Sequence, residues 1–220
     1  MTKTSSLMTR VQTLRVDPTS PPDEVVDRAV SILREGGLVV APTETRYGLL
    51  ARADRTDVLN KLLETKRRTP DRAISVFVPT VADINSYAVM TPIATKLAAS
   101  FLPGPLTLVL DATGPEQPPL VVNGKIGIRV SSATIVNLIV TKLGLPVSAT
   151  SANLSGEGGA DSIDGIIDSL ADEIDLCIDC GPLKGEPSTV VDASGVVPQI
   201  LRSGSITETE IMVVVTGSAK

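Results

Sequence analysis

Five stretches of this 220-residue chain concentrate side chains that could do chemistry. Pro42-Thr43-Glu44-Thr45-Arg46-Tyr47-Gly48 offers two hydroxyls, a carboxylate and a phenol in a Pro/Gly-bounded loop just after a Val-Val strand; by residue type alone it is a polar β-to-α connection. Lys66-Arg67-Arg68 brings three cations to the end of a helical pattern, where they also suit the negative end of the helix dipole. Pro103-Gly104-Pro105-Leu106-Thr107 is a rigid turn feeding a strand and reads as architectural. Ser148 to Gly156 (SATSANLSG) crowds small hydroxyl and amide groups at a strand end, so that backbone N–H groups and short donors could approach phosphate oxygens. Ser188-Thr189-Val190-Val191-Asp192 is followed by Ile200-Leu201-Arg202, a strand pair that ends in an arginine. Neither GxxxxGKS/T nor GxGxxG occurs, so the common phosphate loops are excluded.

Composition narrows the chemistry further. The chain has no histidine, which removes Ser-His-Asp and Cys-His mechanisms and His-bound metal sites. Any catalysis must use charge, hydroxyls and backbone. With two Tyr, two Phe and no Trp, the core must be aliphatic, the palette of a sheet covered by helices. A net charge of −5 gives no basic footprint for nucleic acid, although a local basic cleft is compatible with it. The sequence MTKTSSLMTR contains no apolar signal region, and the Ile211–Val215 run is far short of the ~20 residues that span a bilayer, so a cytoplasmic protein is expected. Cys177-Ile178-Asp179-Cys180 has redox or zinc spacing, but zinc lacks further Cys or His ligands and Leu176-Cys177-Ile178 reads as strand.

These residues need elements to position them. Hydrophobic periodicity predicts strands at 13–16, 38–41, 74–78, 106–110, 126–130, 147–150, 176–179, 189–193 and 210–216. Helical patterns fall at 57–65, 92–101, 133–143 and 162–171, and the clearest begins at Ser20 as N-cap with Pro21 at the first helical position and stops at Gly36-Gly37. Gly and Pro are spread as punctuation, and no linker or repeat divides the chain. One α/β domain is expected: a segment 1–19 with a strand, a main body 20–205, and a C-terminal strand and tail 206–220. The strand ends, rich in Gly, Ser, Thr and Arg, are where an open α/β sheet places its ligand.

Taken in order, the motifs resemble the YrdC/YciO family. The resemblance rests on Pro42–Leu49, Lys66–Arg68, Pro103–Thr107, Ile126–Arg129, Ser151–Gly156, Ser188–Asp192 and Leu201–Gly204, and runs from about Ser20 to about Ser205. It implies a twisted, open, mixed sheet with helices packed around it and a deep central cavity. The implied activity is threonylcarbamoyl-AMP synthesis from L-threonine, bicarbonate and ATP with Mg²⁺, the first step toward N6-threonylcarbamoyladenosine in tRNA. Carried over residue by residue, Lys66, Arg68, Ser151 and Asn153 would be the catalytic, triphosphate-gripping tetrad, joined by Thr150 and Arg202 at the ATP site. Thr43, Thr45, Tyr47, Arg129 and Ser188 would form the threonine site, and no protein metal site is implied. The implied partners are these small molecules and tRNA-modification proteins met transiently, with weak or no direct RNA binding and no membrane.

The chain departs from the family pattern at clustered places. Arg67, Thr69 and Ala73-Ile74 follow Lys66 where the family has Gly, Pro and Pro-Leu; Phe77 stands where it has His; Arg46 replaces Val; and Val130-Ser131-Ser132-Ala133 replaces a stretch with Pro and His-Pro. The tetrad is retained, while the amino acid end changes. Two classes of function therefore stay open: a carbamoyl-adenylate enzyme, and a diverged protein that holds nucleotide or RNA without turnover. The stretches Gly156–Gly159 and Gly181–Pro187 are expected to be mobile flaps over the cavity.

Overall fold

The computed structural model describes residues 11–69, 73–154, 161–170 and 173–217. Its strands form two mixed sheets that meet at one seam. In the first, β1 (Gln12–Arg15), β10 (Leu176–Asp179) and β2 (Val39–Pro42) run parallel, and β3 (Tyr47–Leu50) and β9 (Thr150–Ser151) continue the sheet antiparallel. The second has the order β12 (Gln199–Arg202), β11 (Thr189–Asp192), β5 (Leu106–Asp111), β7 (Lys125–Arg129), β4 (Val76–Phe77) and β8 (Val147–Ser148), with β6 (Val121–Val122) on β7. The chain crosses from the second sheet to the first at Ala149, whose N–H donates to Ser75 O at 2.7 Å. Ser148 ties the seam from beneath: its Oγ donates to Leu49 O at 2.8 Å and accepts from Ala51 N at 3.0 Å.

Apolar faces explain the layering. Strand β2 is buried along its whole length because its side chains serve two cores. Val39 and Ala41 face helices α1 (Asp23–Glu35) and α4 (Thr134–Leu143), together with Phe77. Val40 faces a larger core closed by α2 (Thr56–Thr65), α3 (Pro92–Phe101), α5 (Ile163–Leu170) and α6 (Glu208–Thr216). A strand covered on both faces reads as a continuous apolar run, which is why Leu38–Ala41 is so legible.

Three expectations are corrected. Residues 210–216 are helix rather than strand: Thr207 and Glu210 close a reciprocal capping box, and α6 packs on α3, so a β-branched run is helical against its propensity. The segment after β2 is an antiparallel hairpin rather than a β-to-α connection, pairing Pro42 with Tyr47 and Val39 with Leu50. Helix α1 starts at Asp23 with Pro22 at its cap; Ser20 instead belongs to a turn in which its N–H bonds Asp17 O at 3.2 Å. The helix does end where the glycines said, with Gly36 at φ 88° accepting the left-handed turn that a side chain resists. Among the described residues no helix is long and apolar enough to cross a membrane.

Candidate active site

A cavity of about 630 Å³ opens between the two sheets. Its floor is one face of the second sheet, because strand residues two apart share a face: Thr107 and Val109 on β5, Gly127 and Arg129 on β7, Val190 and Asp192 on β11. Gly127 leaves room in that floor for Ser75, whose hydroxyl a Cβ at 127 would displace. The first sheet contributes the β2–β3 loop and β9 as the opposite wall. Every residue that the sequence assigned to ATP or threonine lines this cavity except Lys66.

Lys66 sits behind the wall. It is the C-cap of α2 and only 2% exposed, and its Nζ donates to Ser151 O and to Asn153 O, the latter at 2.6 Å. Burial, and secondarily the nearby Arg68, push its pKa down to about 8. The next residue, Arg67, adopts φ 48°, a left-handed turn that swings Arg68 round to the cavity, where its Nη2 donates to Ala73 O at 2.7 Å. Ser151 Oγ donates to Asn153 Oδ1, and Asn153 Nδ2 donates to Leu154 O at 2.8 Å, so the β9 loop is a closed polar knot resting on a buried ammonium.

At the far side, Arg202 on β12 donates through Nη2 to both Ser188 O and Ser188 Oγ at 2.8 Å, and Ser188 Oγ lies 3.1 Å from Thr107 Oγ1. Burial and the charge of Arg129 lower the pKa of Arg202, so the two guanidiniums share one field. Lys125 and Asp192 form an ion pair at 2.6 Å on the same floor. Burial raises the carboxyl of Asp192, but bonds from Lys125 and Ser194 outweigh it and hold the pKa below the ordinary value. Asp192 is the single acidic side chain among the described lining residues, set against Arg46, Arg68, Lys125, Arg129 and Arg202. An acidic protein thus carries a locally basic cavity, suited to a polyanion.

The third corner is built on Thr43. Its Oγ1 donates to Arg46 O at 2.6 Å and receives Thr45 N at 3.1 Å and Arg46 N at 3.2 Å, fixing the hairpin loop. Thr45 Oγ1 bonds Thr43 Oγ1 at 2.9 Å and accepts from Arg129 Nη2 at 3.2 Å. Tyr47 lines the cavity, yet its hydroxyl serves the turn after β10: it donates to Gly181 O at 2.7 Å and accepts from Cys180 N at 3.0 Å. Burial first, and then Cys180, raise its pKa, so it stays a neutral phenol. Cys177 is buried with its pKa pushed up to about 12, and both cysteines are unpaired with each other, in keeping with a strand rather than a redox motif.

The expected flap at Gly181–Pro187 is tied at several points. Leu183 N donates to Asp161 O at 2.8 Å, Arg46 Nε donates to Gly185 O at 2.9 Å, and Gly185 lies so close to the β2–β3 loop that a Cβ would collide with Thr45 O. The second expected flap, Gly156–Gly159, lies outside the described residues. Residue-by-residue reading gave no role to Glu44, Ser131, Lys125 or Asp192; the period-two alternation along β7 and β11 was the signal that could have placed the last two on the floor.

A family model for Sua5/YciO/YrdC, described as telomere recombination, matches residues 31–204. The chain belongs to this family. The threonylcarbamoyl-AMP synthase of Bacillus subtilis is 33% identical over 203 residues, covering 90% of this chain and 59% of that protein. Among solved structures, Pyrococcus abyssi Sua5 complexed with L-threonine superposes with a TM-score of 0.83 at 31% identity, over 94% of this chain and 61% of that one. Escherichia coli YciO gives a TM-score of 0.82 at 26% identity over 90% of this chain and 97% of that one. The chain therefore spans about three fifths of the synthase and of the Sua5 structure, but nearly the whole length of YciO. As a Sua5/YciO/YrdC member it has the family's mixed α/β fold.

Proposed function

We propose that the chain is an L-threonylcarbamoyladenylate synthase of the nucleotidyltransferase type, acting in the cytoplasm. The observation that carries this reading is the basic cavity, with Arg68 and Arg202 on its walls and the Ser151–Asn153 knot held from behind by a buried lysine. Arg68, Thr150, Ser151, Asn153 and Arg202 would hold the triphosphate of ATP, with Lys66 supporting the loop that meets it. Thr43, Thr45, Tyr47, Arg129 and Ser188 would form the amino acid end.

In the reaction, the threonine nitrogen adds to the carbon of bicarbonate and water leaves, giving the N-carboxylate. One carboxylate oxygen then attacks the α-phosphorus of ATP, and the bond to pyrophosphate breaks. The residues supply proximity and stabilise the negative charge that builds on the phosphate oxygens; no group of high basicity is needed, which a chain without histidine can satisfy. Mg²⁺ enters as part of the ATP substrate. Among the described residues no cluster of three or more acidic, Cys or His side chains exists to hold a resident metal, and Asp192 already pairs with Lys125. The adenylate would pass to a transferase acting on tRNA, with little direct RNA contact from an acidic chain poor in aromatics.

The altered amino acid end, with Arg46 and Phe77 lining the cavity, favours a second reading, in which the same cavity takes a different amino acid or binds nucleotide or RNA without turnover. One experiment separates them: pyrophosphate release from ATP and bicarbonate with each of the common amino acids in turn. Release with L-threonine above the others is expected. Tight ATP binding with no release for any amino acid overturns the synthase reading and leaves the second.

A further inference from the structure

Glu44 has no assigned role, yet it helps to join the two sheets at the amino acid end. It stands at the turn of the β2–β3 hairpin, on the first sheet. Its Oε1 lies 2.9 Å from Arg129 Nη2, on the second sheet, in an ion pair whose side chains are 13% and 7% exposed. Its Oε2 accepts from Ser131 Oγ, which in turn accepts Ala133 N at 3.1 Å at the start of α4. Arg129 is held on its other sides as well: Nε donates to Gly104 O at 3.2 Å, Nη2 also reaches Thr45 Oγ1, and the ring of Phe77 lies 5.4 Å beneath the guanidinium. Among the described residues no hydrogen-bond partner takes Nη1, which is the nitrogen left for whatever occupies the cavity.

We infer that Glu44 is a positioning residue that fixes the guanidinium of Arg129 so that a single nitrogen, Nη1, meets one oxygen of the bound amino acid's carboxylate. The inference rests on the reading of Arg129 as part of the amino acid end. Glu44 touches no substrate in this scheme. A planar guanidinium has five N–H donors; with Nε and Nη2 engaged, the two on Nη1 remain for a ligand, and the plane in which they point is set by the groups behind it, the Glu44 carboxylate among them. Ser131 keeps the carboxylate from rotating, so the chain Ala133–Ser131–Glu44–Arg129 transmits the position of α4 to the cavity.

The test compares wild type with E44A, E44Q and S131A in the full chain. Titration calorimetry with L-threonine and, separately, with ATP is run beside ¹⁵N spectra of the arginine side chains, with the Arg129 signal assigned by R129K. E44A is expected to weaken L-threonine by at least tenfold and ATP by less than twofold, and to release the restricted rotation of the Arg129 guanidinium. E44Q, which can place its amide oxygen beside Nη2 and turn its amide nitrogen toward Ser131 Oγ, should recover most of the affinity and the restricted rotation. S131A should give a loss of two- to threefold with the same selectivity, and it covers the case in which E44A fails to fold because a buried arginine has lost its partner. An immobile Arg129 in E44A, equal losses for ATP and L-threonine, or no recovery in E44Q overturns the inference. If wild type shows an immobile guanidinium that E44A releases, but binds no L-threonine, the positioning stands and the amino acid reading falls.

Discussion

The two ends of the cavity are built on opposite electrostatic plans. At the Arg129 end, charge meets charge: Glu44 neutralises the guanidinium, and Thr43, Thr45 and Ser131 bond to one another or to that pair. At the other end, Lys66 leans on two loop carbonyls and Arg202 on the carbonyl and hydroxyl oxygens of Ser188. A matched pair holds its geometry whether or not a ligand is present and suits a zwitterion of small net charge. Cations bonded to carbonyls keep most of their field, and that field is what a triphosphate would meet.

The largest effect should come from Lys66→Ala. Losing two buried bonds from an ionised donor, each worth about 1.5–3 kcal/mol, should lower pyrophosphate release by roughly a hundredfold or more while the fold survives by circular dichroism. Retained activity would mean that the β9 loop needs no support and that the contrast between the ends is unimportant. Phe77→Ala comes next and attacks the matched end. Phe77 is buried beneath Arg129 and against the α1–α4 core, so truncation should cost about 3–5 kcal/mol, read as a lowered urea midpoint. A loss below about 1 kcal/mol would show that the ring is not part of that scaffold.

Arg202→Ala should raise the KM for ATP by roughly tenfold, the effect of one charge-assisted contact, and, because Arg202 also holds Ser188 of the amino acid end, the KM for L-threonine by only about two- to threefold. Equal changes in both would erase the division between the ends. The acid–base behaviour of Lys66 sharpens it further. Its folded pKa of about 8 lies below the ordinary 10.5, so between those values the unfolded chain binds more protons than the folded one and stability rises with pH. Lys66→Met should flatten that rise in urea midpoints measured from pH 7.5 to 10.5. ATP affinity should move the opposite way, weakening above about pH 8 as the ammonium deprotonates. The smallest change is Arg67→Gly. Arg67 holds φ 48°, and relief of a left-handed non-glycine residue should raise stability by about 1 kcal/mol, measured as a shift in thermal midpoint. It should leave both KM values in place.

Much of this was legible without coordinates, for identifiable reasons. Strands such as Leu106–Leu110 and Leu176–Asp179 are short apolar runs between turn residues, and Pro92–Phe101 begins after Thr91, whose side chain accepts from Ala94 N. The capping box at Thr207 and Glu210 was readable too, but the apolar run of Ile211–Val215 outweighed it, and short runs of that kind do not distinguish helix from strand. Asn123-Gly124 between β6 and β7 carries the dipeptide of a tight hairpin, with φ 54° and 70°.

By itself the sequence determined the element types over most of the chain, the family, and the residue types that surround the cavity, because these follow from local periodicity and from ordered motifs. Tertiary structure alone decided which side of the wall each residue occupies. Lys66 and Arg68 are two apart in the chain, yet the left-handed turn between them buries one behind the β9 loop and leaves the other on the cavity. Glu44 and Arg129 are 85 positions apart and belong to different sheets; only the packing of those sheets brings their charges to 2.9 Å. Local sequence constrains backbone conformation, but the partner of a charged side chain is chosen by burial, which excludes water and leaves whatever opposite charge the fold has brought within reach.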